Sequence, residues 1–460
     1  MPRRKKIAPS AAPKPERRSE KIPNRLLGMK DWVGAECRYF DFIVGKANEF
    51  AKIYSFTPIR TPIMESYDLY KKSTRHNTER EFYAVEGEKS GKMILRPEIT
   101  QGVIRSYLEN NLGESGLPAR MFSLGPIFRH EKLQTGHYRE STQMNLEIIG
   151  EDKPLAEALL ITVAHNFFAE LGIKIQVQIN SIGNSECRRE YGNKLLSFYK
   201  ERGRRSKLCN LCKNNLGRNV LSLLDCSEDA CVKLREEAPQ IADYLSNESR
   251  EHFTKTLEFL DELNINYNFN PYLVRGLSYY NDTVFEFWPI NDDGSILGKI
   301  ALGGGGRYDS LVESLGGIPT PAIGLAIGLE RTLAKIKDKQ LLINKKENDI
   351  VFIAQLGDQA KLKSLQLFED LRAAGFNVRQ SFASDSLKIQ LEEATAMQAK
   401  TSLILGKKEI MDGTILMRDM DSGAQETVIY KKIKERLSKK DKLIEKRLNN
   451  RKEGGLYGGL

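Results

Sequence analysis

The sequence predicts an α+β protein, with an antiparallel-sheet core interrupted by a helical insertion and followed by a smaller C-terminal α/β domain. Three observations carry this prediction. ARMFSLGPIFRHE (119–131) and the alternating stretch 143–149 flank a polar loop at 132–138, the pattern of an antiparallel hairpin. Residues 184–265 are polar, helical in pattern and contain four closely spaced cysteines. Beyond residue 348 strand-like and helix-like patterns alternate in the order βαβαββ, which indicates a mixed sheet with covering helices.

Residues 1–22 are rich in Pro, Lys and Arg without periodic apolar positions, so a disordered basic arm is expected there. From residue 31 to 53, Trp32, Phe40, Ile43, Val44, Ala47 and Phe50 recur at helical spacing. FTPIRTPIM (56–64) reads as a strand whose two prolines push it to an edge or an interface. A short apolar run at 92–95 precedes Arg96-Pro97-Glu98. Residues 155–171 form a helix ended by Gly172, and KIQVQIN (174–180) a strand. After the insertion, strands are expected at 272–287 and 299–302, then a glycine run, then a helix over about 325–337. The polar stretch 337–348 marks a domain boundary, giving a core over 23–340, a second domain over 348–430 and a basic tail over 431–460. Within the second domain, strands are expected at 349–355, 376–381, 401–406 and 414–419, with helices at 359–374 and 385–396.

A length of 460 residues suits two or three domains, and 40% hydrophobic residues supply real cores. No apolar run approaches the ~18 residues of a membrane span, and the basic N-terminus lacks the apolar centre of a secretory signal. A cytoplasmic protein is the expectation. The net charge of +10 favours a polyanionic partner, and the excess sits at the two ends, where such runs serve either as solvated tails or as nucleic-acid arms.

Three motifs carry chemistry. GGGGRYD (303–309) reads alone as a tight turn needing positive φ or as a phosphate-cradling loop, although no helix opens at Arg307 and no Gly-Lys-Ser/Thr follows. FRHE (128–131), with Arg139 across the loop, places two planar guanidinium forks where a phosphate would fit; a solvated hairpin end is the plainer reading. GLAIGLERT (324–332) puts Glu330 and Arg331 on a helix with an apolar face, where an arginine is most often simply solvent-exposed. Cys209, Cys212, Cys226 and Cys231 form C-x₂-C-x₁₃-C-x₄-C, a spacing able to enclose a tetrahedral structural Zn²⁺; four ordinary thiols in a helical insertion are the alternative.

In this order the three motifs resemble the signature motifs of class II aminoacyl-tRNA synthetases, over about 25–429, and the resemblance is nearest to the histidyl-tRNA synthetase family. IRTPIMESYDLYKKS (59–73) resembles the first motif, a homodimer-interface helix and strand. LRPEITQG (95–102) resembles the LRPE-x-T segment, GPIFRHEKLQTGHYRESTQMNLEIIG (125–150) the second motif and GLAIGLERT the third. LVRGLSYYNDTVFEF (273–287) and ALGGGGRYDSLVESLGG (301–317) resemble the two histidine-specific segments. The resemblance implies a class II antiparallel-sheet catalytic core with a helical insertion, and a C-terminal α/β anticodon-binding domain. It implies activation of L-histidine by ATP with Mg²⁺, followed by transfer to the terminal ribose of tRNA(His), in a homodimer.

Residue roles follow from the same resemblance. Arg129 is implied at the α-phosphate, Arg331 at the β/γ-phosphates, Arg139 and Glu131 at the nucleotide or its metal, and Arg275 between carboxylate and phosphate. Glu98, Thr100 and Gln143 are implied at the substrate ammonium, Glu147 and Tyr280 at the imidazole, with Tyr279 and Tyr308 lining the pocket. Four positions depart from the family pattern. Ser141 stands for an adenine-stacking phenylalanine, His137 for an arginine, Ser278 for an aspartate and Ile99 for a small residue. The competing readings are a catalytically silent synthetase-like regulator, such as the regulatory subunit of ATP phosphoribosyltransferase, and an RNA-binding paralog. The former usually loses the LVRG and GGGRYD residues and lacks the C-terminal domain, whereas Arg275, Arg307 and that domain's pattern are present here.

Overall fold

The structure, a computed structural model, describes residues 24–71, 82–85, 91–130, 138–201, 203–298, 300–336, 349–381 and 386–438. The arm over 1–22, the loop residues Glu131 and His137, the boundary stretch 337–348 and the tail beyond 438 lie outside the described residues. The chain divides into two compact units, residues 1–339 and 340–460.

The strands of the first unit are β1 (Thr57–Pro58), β2 (Met64–Ser66), β3 (Ala84–Val85), β4 (Met93–Leu95), β5 (Ala119–Phe128), β6 (Glu140–Ile149), β7 (Ile175–Ser181), β8 (Tyr267–Phe269), β9 (Asn281–Pro289), β10 (Gly303–Arg307) and β11 (Ala322–Gly328). Eight of them form one sheet in the order β1-β5-β6-β11-β10-β9-β7-β8; β2, β4 and β3 form a small antiparallel sheet. Only the two edge pairs of the large sheet, β1–β5 and β7–β8, are parallel. The two-residue β1 sits at the edge, where Pro58 need not donate to a further strand.

Each face of this sheet follows from alternation. On β6, Met144, Leu146 and Ile148 point to one side and are buried apolar; Gln143, Asn145 and Glu147 point to the other. The apolar side is covered by the Leu155–Glu170 helix, whose Leu160, Ile161, Ala164, Phe167 and Phe168 are fully buried. The Phe168 ring meets Phe287 of β9 at 5.8 Å. On the polar side, Gln143, Asn145 and Glu147 lie opposite Gly328, Ala326 and Gly324 of β11. Small residues beside polar ones leave an open floor on that face.

The glycine run is a strand, not a turn. Gly303 to Arg307 pair with β9 on one side and β11 on the other. A Cβ on Gly305 would lie 2.1 Å from the Gly324 carbonyl oxygen, and one on Gly304 would lie 2.5 Å from that of Phe285 and 2.8 Å from Arg275 Nη1. The run therefore serves mainly close approach, with positive φ only at Gly306 beside the register shift to Arg307, and the strand expected at 299–302 lies in the glycines themselves. A second correction concerns 272–287, of which only the part from Asn281 is strand. Residues 273–280 are irregular, with the Leu273 carbonyl accepting from Asn180 Nδ2 (3.0 Å) instead of a ladder partner. A period-2 strand would send the neighbours Tyr279 and Tyr280 to opposite faces, yet both reach the same cavity. The third correction is at 325–337: β11 continues to Gly328, and the helix begins at Leu329.

The insertion is helical, with helices at Ser185–Lys200, Arg204–Lys207, Asn210–Asn215, Asp229–Glu236 and Asn247–Glu262. In the second unit β12 (Val351–Gln355), β13 (Val378–Gln380), β14 (Thr401–Leu405), β15 (Thr414–Asp419) and β16 (Gln425–Ile429) form a mixed sheet ordered β13-β12-β14-β15-β16. The Asp358–Ala373 and Leu387–Ala396 helices match the expected pattern; a six-residue helix, Lys407–Asp412, and β16 do not appear in it. Ile433 and Leu437 are buried in the core with Ile353, Leu367 and Leu403, so packing continues past residue 430 into the stretch read as tail.

Candidate active site

A cavity of about 420 Å³ opens on the polar face of the large sheet. Its floor is β6 and β11, through Gln143, Asn145, Ala326 and Gly328; its walls come from the Glu98–Thr100 turn, Arg129 at the end of β5, the irregular segment with Arg275, Tyr279 and Tyr280, and Arg331 on the helix after β11. Stretches far apart in the chain thus converge because the sheet order sets β6, β11, β10 and β9 side by side.

Glu98 closes one end. Its carboxylate accepts from the backbone N–H of Thr100 (2.8 Å) and Gln101 (3.0 Å), the first turn of the Thr100–Glu109 helix, where unpaired amides and the helix dipole favour an anion. Burial nevertheless raises its pKa. Arg96 is buried beside it and donates to the carbonyls of Pro126 (2.8 Å) and Thr61 (3.0 Å), clamping β5 to the segment before β2.

Glu147 does not line the cavity but lies one layer beneath it, 1% exposed. It accepts from Thr100 Oγ1 (2.7 Å), Tyr308 OH (2.5 Å) and, more weakly, Asn145 Nδ2 (3.4 Å). Burial pushes its pKa up to about 8, a rise that the Thr100 and Tyr308 hydrogen bonds only partly oppose. Gly324 is obligatory above it, since a Cβ there would fall 1.6 Å from Glu147 Oε2. Tyr308 shares this lower layer, whereas the Tyr279 and Tyr280 rings reach the cavity 4.8 Å from each other.

Three cations surround the upper part. Arg129 Nε donates to the Pro97 carbonyl (2.7 Å). Arg331 Nη1 reaches the Ala301 carbonyl (3.4 Å). Arg275 pairs with Glu286 of β9, and Trp288 Nε1 donates to the other Glu286 oxygen (3.1 Å). Burial lowers the Arg275 pKa, but the Glu286 charge outweighs it and the net shift is upward. Arg275 Nε and Gln143 Oε1 are buried without a hydrogen-bond partner, polar atoms that a ligand in the cavity would satisfy. Glu330 accepts the Thr142 N–H with both oxygens (2.8 and 2.9 Å), which ties β6 to the helix carrying Arg331.

Of the residues expected at a site, Glu98, Thr100, Arg129, Gln143, Arg275, Tyr279, Tyr280 and Arg331 line this one cavity. Arg139 does not; its carbonyl accepts the Arg129 N–H (2.9 Å), making it a backbone partner of Arg129. Glu131 lies outside the described residues. Arg307 belongs to a different network: it grips Glu157 with two hydrogen bonds (2.7 and 2.8 Å), and His252 Nε2 sits 2.7 Å from the same carboxylate. Sequence reasoning missed Glu286 as a cavity residue. The signal was an acidic residue between Phe285 and Phe287, two positions that are fully buried.

An antiparallel-rich sheet with a polar cavity on one face, a carboxylate at its end and arginine forks above, is a scaffold of the class II aminoacyl-tRNA synthetase type. The histidyl-tRNA synthetase family model matches residues 28–332 and the anticodon binding domain model matches 350–440. A histidine--tRNA ligase of Thermosipho melanesiensis is 37% identical over 405 residues, 87% of this chain and 95% of the relative; one of Dehalococcoides mccartyi is 36% identical over 87% and 96%. The crystal structure of apo Staphylococcus aureus histidyl-tRNA synthetase superposes with a TM-score of 0.75 at 29% identity, covering 90% of this chain and 100% of that one. A Bacillus halodurans structure titled as an ATP phosphoribosyltransferase regulatory subunit/histidyl-tRNA synthetase shares the fold at 19% identity, with a TM-score of 0.57 over 84% and 98%. The chain belongs to the histidyl-tRNA synthetase family.

Proposed function

We propose that this cavity joins L-histidine to ATP, with the amino acid on the floor and the triphosphate along the arginines. As a member of its family the chain activates L-histidine with ATP to histidyl-adenylate and transfers the histidyl group to the 3′ end of tRNA(His). The observation that carries the site assignment is the convergence of Glu98, Gln143, Arg129, Arg275 and Arg331 on one cavity.

In the first step a histidine carboxylate oxygen attacks the α-phosphorus, a new O–P bond forms, the bond to the bridging oxygen breaks and pyrophosphate leaves. Two anions must approach and the pentavalent centre gains charge, so positioned cations do most of the work. Arg129 and Arg275 flank the reacting phosphate, and Arg331 holds the outgoing β/γ-phosphates. Glu286 keeps the Arg275 guanidinium aimed at the cavity. In the second step a hydroxyl of the terminal ribose attacks the histidyl carbonyl carbon, and AMP leaves with the electron pair of the broken C–O bond.

Glu98, Thr100 and Gln143 receive the ammonium and Tyr280 the imidazole, above a layer in which Glu147 positions Thr100 and Tyr308. A buried polar partner for a ring nitrogen rejects side chains lacking that nitrogen, because the unpaired group would be costly. Tyr138, on the cavity rim at the approach to Ser141, supplies the ring face for adenine. Glu286 and Glu330 are cavity carboxylates of the hard-oxygen type that Mg²⁺ takes; the ion, when bound with ATP, neutralises polyphosphate charge.

We further assign a homodimer, supported by the exposed apolar Ile63 and Met64 in the first-motif segment. We place the protein in the cytoplasm, in keeping with six free cysteines. Among the described residues no helix is long and apolar enough to cross a membrane. Charging of tRNA(His) transcript with labelled histidine tests the reading. Acid-stable, ATP-dependent transfer to tRNA(His) and not to another tRNA is expected; a folded protein that charges neither would overturn it.

A further inference from the structure

The helical insertion holds a second chemical cluster that the reaction does not use. The sulfur atoms of Cys209, Cys212, Cys226 and Cys231 all lie within 4.8 Å of one another, and those of Cys209 and Cys226 are 3.9 Å apart. A tetrahedral zinc site with Zn–S bonds of about 2.3 Å needs sulfurs about 3.8 Å apart, whereas a disulfide needs about 2.05 Å. All four are free thiols. The Cys212 N–H points at Cys209 Sγ (3.4 Å) and the Cys209 N–H at Cys231 Sγ (3.3 Å), donors that favour sulfur as thiolate.

The local fold gives the cluster a task. The helices that carry or adjoin the cysteines, Arg204–Lys207, Asn210–Asn215 and Asp229–Glu236, have four, six and eight residues, too few to persist without outside support. Cys226 follows directly on the Val220–Asp225 3₁₀ turn, and Asp225 reaches the wall of the substrate cavity. Arg235, on the helix of Cys231, donates to the Leu224 carbonyl and lies over the Tyr272 ring at 5.1 Å. The cysteines thus join the turn that carries Asp225 to the segment that leads into Arg275.

We propose that Cys209, Cys212, Cys226 and Cys231 hold one structural Zn²⁺, and that the ion fixes Asp225 and the 272–280 segment at the cavity wall. The ion takes no part in the chemistry; it is a staple whose loss loosens one wall. The metal half stands apart from the catalytic assignment, because it is read without turnover.

Metal analysis of the full-length protein, purified without a metal-affinity resin, should give one zinc per chain. A thiol-specific mercurial should release it in step with four thiols, and Cys226→Ser and Cys212→Ser should no longer retain it. Substoichiometric zinc in a folded protein whose Cys209, Cys212, Cys226 and Cys231 thiols are all titratable beside Cys37 and Cys187 overturns the site, and that readout needs no variant to fold. Cobalt added to metal-stripped protein should show the intense visible bands of tetrahedral thiolate coordination; weak octahedral bands would count against four sulfurs. Hydrogen exchange then tests the staple. Metal removal should speed exchange of amides in 220–226 and 272–280 at least tenfold while leaving β5 and β6 unchanged. Equal protection with and without zinc would refute the positioning role, even if zinc is present.

Discussion

Arg275→Ala separates a charge-stabilising role from a structural one. The Arg275 and Glu286 side chains are 21% and 18% exposed, so the guanidinium acts from a partly desolvated position where its field is weakly screened. Removing one preorganised donor from developing transition-state charge costs about 3–4 kcal/mol, or ~10²–10³-fold in rate. Exchange of labelled pyrophosphate into ATP, driven by saturating histidine, should fall by that factor. Arg275→Lys keeps the charge but loses the planar fork, so it should retain an intermediate rate. Truncation also leaves Glu286 with only Trp288 Nε1 as a partner, which costs stability by another route. The double variant Arg275→Ala/Glu286→Ala removes that stranded carboxylate and should regain stability without regaining rate. Exchange within threefold of the parent for Arg275→Ala, or recovery of rate in the double variant, would refute the assignment.

Three further outcomes follow from the same network. Thr100→Val deletes the 2.7 Å donor to Glu147 and should raise the histidine KM about tenfold, the ~1–2 kcal/mol of a hydrogen bond to a charged or polar buried group, with a smaller change in kcat; an unchanged KM counts against the floor assignment. Glu147→Gln tests the raised carboxyl. Because the folded pKa is raised from 4.5 to about 8, the native state keeps a proton that the unfolded chain releases in between. Stability from this group is therefore full below pH 4.5 and lost as pH rises to about 8. The parent should lose a few kcal/mol relative to Glu147→Gln between pH 5 and pH 9 in urea unfolding, and a difference independent of pH would contradict the burial argument. Arg307→Met strands the fully buried Glu157 with His252 alone, and should cost ~3–5 kcal/mol of stability while sparing exchange per folded molecule. Lost exchange at unchanged Tm would instead place Arg307 in the chemistry.

The sequence made the hairpin legible because β6 alternates strictly, and the same alternation placed Gln143, Asn145 and Glu147 on one face. It did not reveal that Glu147 sits beneath the cavity rather than in it, since depth depends on Gly324 across the sheet. The glycine run was opaque for the same reason. Glycines signal either positive φ or close approach, and only the neighbouring strands and Arg275 decide between them. The segment 273–280 carried enough β-favouring residues to read as strand, but side-chain hydrogen bonds from Asn180 to the Pro271 and Leu273 carbonyls compete with the ladder. Arg307, conspicuous after four glycines, turned out to be a buried anchor for Glu157, an acid hidden on the buried face of a largely apolar helix.

The central claim is that one cavity selects histidine and activates it with ATP. The most direct test is pyrophosphate exchange by the full-length protein, without tRNA, against each of the twenty amino acids in turn. Exchange should be supported by L-histidine at a rate at least a hundredfold above any other, including those of similar size that lack two ring nitrogens. A folded, zinc-quantified preparation that exchanges with no amino acid, or equally with several, would contradict it.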